Sequence, residues 1–182
     1  MEQQMISRRT LLAAGAAAVA RGAQQAPPGD ARKVGYAVVG LGRIAQGQAL
    51  PALAKCQRSR VTGLVSGDPA KAARIAAQYG VNPKNIYSYQ NYDQMASNRE
   101  IEAVYIALPN GMHAEYTIRA HQAGKHVLSE KPMANTVEEC RQMIDAARTA
   151  SRKLMVAYRV RYEPYNMTAI KLVREEIGRA HV

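Results

Sequence analysis

Phenylalanine and tryptophan are absent from this 182-residue chain, so the large members of any core must be tyrosine, leucine, isoleucine and methionine. Cysteine occurs only twice, as Cys56 and Cys140. Their separation matches neither a zinc-ligand spacing nor a C-x-x-C redox pair, so no metal site is expected. Both lie in helical patterns beside apolar residues and read as buried free thiols. A disulfide stays open for an exported protein, because sequence cannot bring the two sulfurs together. There is no convincing transmembrane run, since the apolar stretch Leu11 to Ala20 is too short and too alanine-rich. There is also no long lysine or arginine block, although the formal net charge is +11. Scattered basic residues without a recognisable motif do not point to nucleic acid. They suit a solvated surface and a phosphate-bearing cofactor.

What is present is organised around Lys33 to Ala45, K-V-G-Y-A-V-V-G-L-G-R-I-A. Val34, Tyr36, Val38 and Val39 form the β-branched and aromatic run of a strand covered on both faces. Gly40 permits a tight turn, Gly42 has no Cβ to keep a phosphate from the backbone, and Ala45 is the third small position. A helix that starts here turns its free N–H groups and its positive dipole end toward a pyrophosphate. A bare G-x-G-x-x-A is common by chance. Between a strand and a helix it becomes a dinucleotide-binding signal. Gly40, Leu41, Gly42, Arg43 and Ile44 are therefore the first expected cofactor-binding residues.

The preceding residues read as an export signal over 1–23. Ser7-Arg8-Arg9-Thr10-Leu11-Leu12 is similar to a twin-arginine signal, and Ala18-Val19-Ala20 offers a cleavage site, with a cut nearer Ala23 also open. This predicts a periplasmic protein with no stable membrane anchor and the twin-arginine machinery as a partner. Residues 24–32, with Pro27-Pro28-Gly29, read as an extended arm that either links or lies along the body and covers part of the cofactor. Downstream, helices and strands alternate. Ile44 to Lys55 is helical with Pro51 kinking or splitting it. A strand follows over Arg60 to Ser66, and then a helix over Pro69 to Tyr79 capped by Asp68. A short strand begins at Tyr87, and a short helix covers Tyr92 to Ala96. Ala103 to Leu108 is a strand and Pro109-Asn110-Gly111 a loop. His113 to Ala123 is a helix ended by Gly124, and His126 to Ser129 is a strand. The next helix opens on a Thr136–Glu139 capping box, and the last strand is Leu154 to Tyr158. This rhythm predicts an α/β fold, a Rossmann-type doubly wound parallel sheet, with ligand at the C-terminal ends of its strands.

The end of the second strand bears on cofactor choice. An NAD-binding unit usually carries an acid there for the ribose hydroxyls. Here the chain reads Ser66-Gly67-Asp68-Pro69-Ala70-Lys71. A hydroxyl at Ser66 and an ammonium at Lys71 suit a 2′-phosphate, with Arg43 as a further cation. Asp68 either caps the helix or serves as the NAD acid. The charge logic favours NADP over NAD.

These residues resemble the glucose–fructose oxidoreductase branch of the Gfo/Idh/MocA oxidoreductase family. The matching stretches are V-G-L-G-R-I-A at Val39 to Ala45, L-V-S-G-D-P-A-K-A at Leu64 to Ala72, and A-V-Y-I-A-L-P-N at Ala103 to Asn110. A-G-K-H-V-L-S-E-K-P at Ala123 to Pro132 and A-Y-R-V-R-Y-E-P at Ala157 to Pro164 match as well. The resemblance implies that Lys131 is the catalytic lysine, positioned by Glu130 and by Pro132 as a candidate cis proline. Leu108, Pro109, Asn110 and His113 would line the nicotinamide side, His113 being equally readable as a plain helix-start residue. Tyr158 and Arg159 would approach from the far side. His121 and His126 are left to packing. The implied chemistry is hydride transfer between NADP and a sugar or polyol, as in glucose to gluconolactone and fructose to sorbitol.

Family members continue into a second, α+β domain that supplies a further acid–base residue and the usual oligomer interface. The expected layout is therefore a dinucleotide-binding domain over 33–160, the start of a linking helix over 161–176 and an adapter-like sequencing artefact over 177–182. The implied whole is a homo-oligomer, and the 182-residue chain alone is expected to be inactive. The alternative is a stand-alone dinucleotide-binding module without catalysis.

Overall fold

The structure, a computed structural model, describes residues 32–175. The expected export signal over 1–23, the arm apart from Arg32, and the ending over 177–182 lie outside the described residues.

Six parallel strands form one sheet in the order β3-β2-β1-β4-β5-β6. They are β1 (Val34–Val39), β2 (Ser59–Val65), β3 (Ile86–Tyr87), β4 (Ala103–Ile106), β5 (His126–Ser129) and β6 (Leu154–Val156). This is the order of a two-fold mononucleotide-binding sheet. Val39 at the end of β1 pairs with Val65 of β2 and with Ile106 of β4, and Ile106 pairs with Ser129 of β5. The C-terminal ends of four strands therefore finish level, and the loops that follow them share one rim.

Side chains that alternate along β1 enter two separate cores, as the period of a strand requires. Val38 joins Leu50, Leu64, Ile75 and Ala76 on one face. Ala37 and Val39 join Tyr92, Met95, Val104, Ile106, Tyr116 and Val127 on the other. Tyrosine takes the place of the missing phenylalanine in that second core. Tyr92 is fully buried and packs edge-on against Tyr116 at 5.0 Å. Its hydroxyl donates to the Tyr116 carbonyl (3.0 Å), so the burial leaves no orphaned polar atom. The Arg119 guanidinium lies 5.0 Å from both ring centroids and closes the cluster from outside by pairing with Asp93.

Among the described residues four α-helices pack against the sheet, α1 (Leu50–Lys55), α2 (Pro69–Tyr79), α3 (His113–Gln122) and α4 (Val137–Thr149), and a fifth, α5 (Pro164–Arg174), follows β6. Pro51 acts as expected but by a specific route. The turns before it, Ala45–Ala49, are π-helical, and the Leu50 N–H reaches back to the Ala45 carbonyl. Proline has no N–H to donate and its ring collides with the carbonyl four residues back, so a widened turn ahead of it relieves both. The local signals act elsewhere as read. The Asp68 carboxylate accepts from the Lys71 N–H (2.9 Å), Gly124 takes φ +73° beyond α3, and Thr136 and Glu139 close a reciprocal capping box. Strand β5 spans the expected residues and β2 is shifted by one, whereas two strands are shorter than expected, β4 stopping at Ile106 and β6 at Val156, because their pairing partners end there.

The expectation of two buried cysteines is corrected. Cys56 follows α1 in extended conformation and is exposed, while Cys140, near the open start of α4, is half-buried, and both are free. Helix α5 has no buried residue and turns Tyr165, Met167 and Val173 to solvent. No helix among the described residues is long and apolar enough to cross a membrane.

Two histidines at the end of the sheet away from the rim give the fold a pH limit. His121 is buried, its Nδ1 faces the Lys125 carbonyl (3.1 Å) and its buried Nε2 has no partner. The ring is thus a neutral Nδ1–H tautomer, and burial is the main force pushing it below its ordinary 6.5. His126 accepts the Lys153 N–H on Nδ1 (2.9 Å). Its pKa is also lowered, first by burial and then by Arg152 and Lys153, with Glu102 opposing. The unfolded chain therefore takes up more protons as pH falls, so stability holds above about pH 6.5 and declines below it. Denaturant unfolding followed at about pH 7.5 and about pH 5.5 should show a lower midpoint in acid, and His121→Asn should make that decline shallower.

Candidate functional site

The rim of the sheet gathers most of the expected residues. At the end of β1, Gly40 has φ +85° and donates its N–H to the Val65 carbonyl (3.0 Å). A Cβ there would stand 2.7 Å from the Ala107 carbonyl oxygen and 2.8 Å from Leu108 Cδ2. Only glycine fits both the backbone angle and the space. Gly42 is the opposite case, exposed and with no other atom within 4 Å of a Cβ. Its openness leaves the backbone approachable at the start of the first helix, where N–H groups lack intrahelical partners. Leu41 points its side chain into the core, so only its backbone is available to a ligand, whereas Arg43 and Ile44 are exposed. Gln46, unremarked in the sequence, donates to the Leu41 carbonyl (2.8 Å) and braces the turn.

The end of β2 decides between the two uses of Asp68. Its carboxylate is taken up by the Lys71 backbone N–H and lies 3.7 Å from the Lys71 ammonium. The Lys71 backbone hydrogen bond is the main cause that holds this carboxyl below the usual carboxylate range. Ser66 is buried and accepts the Asp68 N–H on Oγ (3.1 Å), which leaves its own hydroxyl proton free to donate. One turn beyond Lys71, the Arg74 guanidinium reaches Gln46 Oε1 (3.3 Å) and so leans over the glycine turn. Sequence reading passed over Arg74. Its three-residue offset from Lys71 on a helix was the available signal. The local field is cationic, and the one nearby acid is committed to a cap.

On the other side of β1, the segment after β5 is held from several directions. Glu130 is buried. Its Oε1 accepts the Tyr105 hydroxyl (2.5 Å) and its Oε2 accepts the Lys131 N–H (3.2 Å). Burial, then the hydrogen bond to Glu130 and its charge, push the Tyr105 hydroxyl far above its ordinary pKa, against a smaller pull from Arg159. The tyrosine thus stays protonated and keeps donating. Lys131 itself is exposed, and the Lys131–Pro132 peptide is cis. Arg159 follows β6 and donates to Gln48 Oε1 (3.0 Å), while Tyr158 stands in solvent. A cleft of about 450 Å³ opens along the sheet face between the first helix and β5, walled by Tyr36, Gln48, Tyr105, Leu128, Glu130 and Arg159. Glu130 and Arg159 are the lining residues that follow the C-terminal ends of β5 and β6.

After β4, Leu108 is buried while Pro109 and Asn110 are exposed at the rim. His113 departs from expectation as a lining residue. It is wholly buried, with Nδ1 2.7 Å from the Pro132 carbonyl and Nε2 2.9 Å from the Leu108 carbonyl. Both ring nitrogens are occupied inside the protein, so the side chain is not at the ligand surface. No group of three or more metal-ligating side chains occurs among the described residues.

The family model of an oxidoreductase family with an NAD-binding Rossmann fold matches residues 34–158, the whole of the sheet. The chain belongs to this family. It is one of the Gfo/Idh/MocA oxidoreductases. The chain is 34% identical over 142 residues to a D-xylose 1-dehydrogenase [NADP(+)] of Haloarcula marismortui, covering 78% of this chain and 39% of that protein. The crystal structure of an aldose–aldose oxidoreductase from Caulobacter crescentus, complexed with glycerol, superposes with a TM-score of 0.77 at 47% identity, over 79% of this chain and 43% of that one. KijD10, a 3-ketoreductase from Actinomadura kijaniata in complex with NADP, superposes with a TM-score of 0.71 at 29% identity, over 80% and 45%. The chain thus spans about two fifths of the length of the curated relatives it matches.

The two glycines of the family turn have separable roles. Gly40→Ala should lower unfolding free energy by about 2–4 kcal/mol, combining a positive-φ penalty with a collision against backbone. Gly42→Ala should leave stability within about 0.5 kcal/mol and weaken NADPH binding about tenfold, a loss of roughly 1.4 kcal/mol. Thermal or denaturant unfolding and a fluorescence titration of the two variants check this.

Proposed function

We propose that this chain binds NADP at the rim and serves an oxidoreductase acting on a sugar or polyol. The observation that carries the cofactor choice is the end of β2. Asp68 is spent on the cap, while the Ser66 hydroxyl, Lys71 and Arg74 remain to receive a 2′-phosphate. The NADP named with two of the relatives supports the same choice. Gly40, Leu41, Gly42, Arg43 and Ile44 would hold the pyrophosphate through backbone N–H groups and the cation of Arg43. Leu108, Pro109 and Asn110 would border the nicotinamide, with Tyr158 and Arg159 on the far side.

When bound, the cofactor supplies the hydride donor and acceptor. Lys131 provides a cation at the sugar oxygen, where it stabilises negative charge as the hydroxyl proton leaves, or lowers the pKa of a neighbouring acid–base group. Glu130 does not act as the base in this scheme. Its two oxygens hold the Tyr105 hydroxyl and the Lys131 backbone, so it fixes the lysine's attachment to β5. The substrate class follows the aldose–aldose oxidoreductase and D-xylose dehydrogenase relatives. An aldose oxidised at C1 to its lactone, as glucose to gluconolactone, with fructose reduced to sorbitol in return, is the reaction of the branch that the chain resembles. Part of the acid–base machinery and the oligomer contacts are assigned to a further domain, and the 182-residue chain alone is proposed to bind cofactor with little turnover.

NADPH should enhance its fluorescence on titration with the 182-residue chain and bind about tenfold more tightly than NADH. The double variant Lys71→Ala, Arg74→Ala should erase that preference by weakening NADPH alone. Equal affinity for both cofactors in the unmodified chain overturns the NADP assignment. In the protein expressed from its own reading frame, Lys131→Ala should cut sugar-dependent turnover by about 10²-fold or more while NADPH affinity stays within about threefold.

The signal over Ser7 to Leu12 supports export to the periplasm by the twin-arginine route. Replacement of Arg8 and Arg9 by lysine should leave the protein in the cytoplasmic fraction, and an unchanged periplasmic signal on fractionation would count against that route.

A further inference from the structure

Among the described residues, His113 is the one wholly buried titratable side chain at the rim that the proposed mechanism leaves without a task. It is the first residue of α3, directly after the turn Asn110–Met112. One ring nitrogen faces the carbonyl of Leu108, in the segment after β4, and the other faces the carbonyl of Pro132, in the segment after β5. Carbonyl oxygens only accept, so every bond the ring makes here is one it donates. A neutral imidazole donates to one of the two and an imidazolium to both. A ring that ties both carbonyls is therefore the imidazolium, since the neutral ring would turn one lone pair toward a carbonyl oxygen.

The two segments it joins carry different duties. Leu108 precedes the exposed Pro109 and Asn110, proposed to border the nicotinamide, and Pro132 follows Lys131 immediately in the chain. The Lys131 N–H is already tied to Glu130 Oε2 (3.2 Å). With the Pro132 carbonyl tied to His113 Nδ1 (2.7 Å), the lysine backbone is fixed on both sides. We propose that His113 is a positioning residue, a latch that makes the nicotinamide-bordering segment and the catalytic-lysine segment move as one unit. It touches no reacting atom. Its effect falls mainly on the nicotinamide end, because the glycine turn, although it abuts Leu108, and the end of β2 are also held by bonds from Gln46, Arg74 and Asp68. This inference rests on the proposed cofactor reading only for which ligand it affects.

The test uses the 182-residue chain, His113→Gln, which keeps a side-chain N–H donor, and two ligands. NADPH has a nicotinamide end, and 2′-phospho-ADP-ribose lacks it. The latch predicts that His113→Gln weakens NADPH about tenfold, the scale of one buried hydrogen bond, and leaves 2′-phospho-ADP-ribose within about twofold. A merely structural role would weaken both alike, and that result overturns the proposal, as does no change in either. Hydrogen exchange without any ligand separates this inference from the cofactor reading. Peptides covering 108–113 and 130–134 should both exchange faster in the variant, and acceleration of only one overturns the latch even if no nucleotide binds. If His113→Gln does not fold, the unmodified chain still decides. Its two segments should open with the same protection and shift together as denaturant rises, and independent opening overturns the proposal.

Discussion

The rim depends on one close approach, that of the β1 turn to the segment after β4. The Ala107 N–H bonds to the Val39 carbonyl (2.8 Å), and the Ala107 carbonyl would stand 2.7 Å from a Cβ on Gly40. Because β1 lies at the centre of the sheet, this contact sets the turn that opens the first helix and the loop that leads to α3 at the same time. A single methyl group between them would push the glycine turn away from the segment after β4. The level ends of β1, β2, β4 and β5 follow from the register of the same pairing, so the loops meet at one rim rather than at staggered heights.

Around that contact, buried polar groups do the holding, some through neighbours in the chain and some across segments. Tyr105 on β4 keeps the buried Glu130 carboxylate hydrogen-bonded, and Glu130 in turn holds the Lys131 backbone. An unpaired carboxylate at this depth would be strongly unfavourable, whereas a donor and a backbone N–H together make it a bracket. Charge is distributed with similar economy at β2. Asp68 is absorbed into a helix cap, where it also lies 3.7 Å from the Lys71 ammonium, and Arg74 one turn on is turned toward Gln46. The cationic field there depends on what the cap holds back as much as on what the helix adds.

The absence of phenylalanine and tryptophan shapes the second core. Tyrosines supply the area, and each buried hydroxyl then needs an acceptor, which the Tyr116 carbonyl provides for Tyr92. Arg119 caps the pair and anchors Asp93, so the core on that face is closed by charge at its outer edge.

What the sequence determined by itself is what short-range chemistry controls. The strand–glycine–helix stretch, the Asp68 and Thr136–Glu139 caps, the left-handed Gly124 and the alternation that specifies a doubly wound sheet all depend on residues within one or two turns of each other. They were readable without a fold, and with them the location of the rim and most of its residues. What only the tertiary structure decided are contacts between segments far apart in the chain. His113 meets Pro132 nineteen residues on, Tyr105 meets Glu130 twenty-five on, and Arg74 reaches back twenty-eight to Gln46. Arg159 crosses 111 residues to Gln48. The exposure of Cys56 and the conversion of His113 from lining residue to internal bridge belong with these. A helical pattern states which side chains share a face, but only the packed sheet states which carbonyl, carboxylate or solvent that face meets.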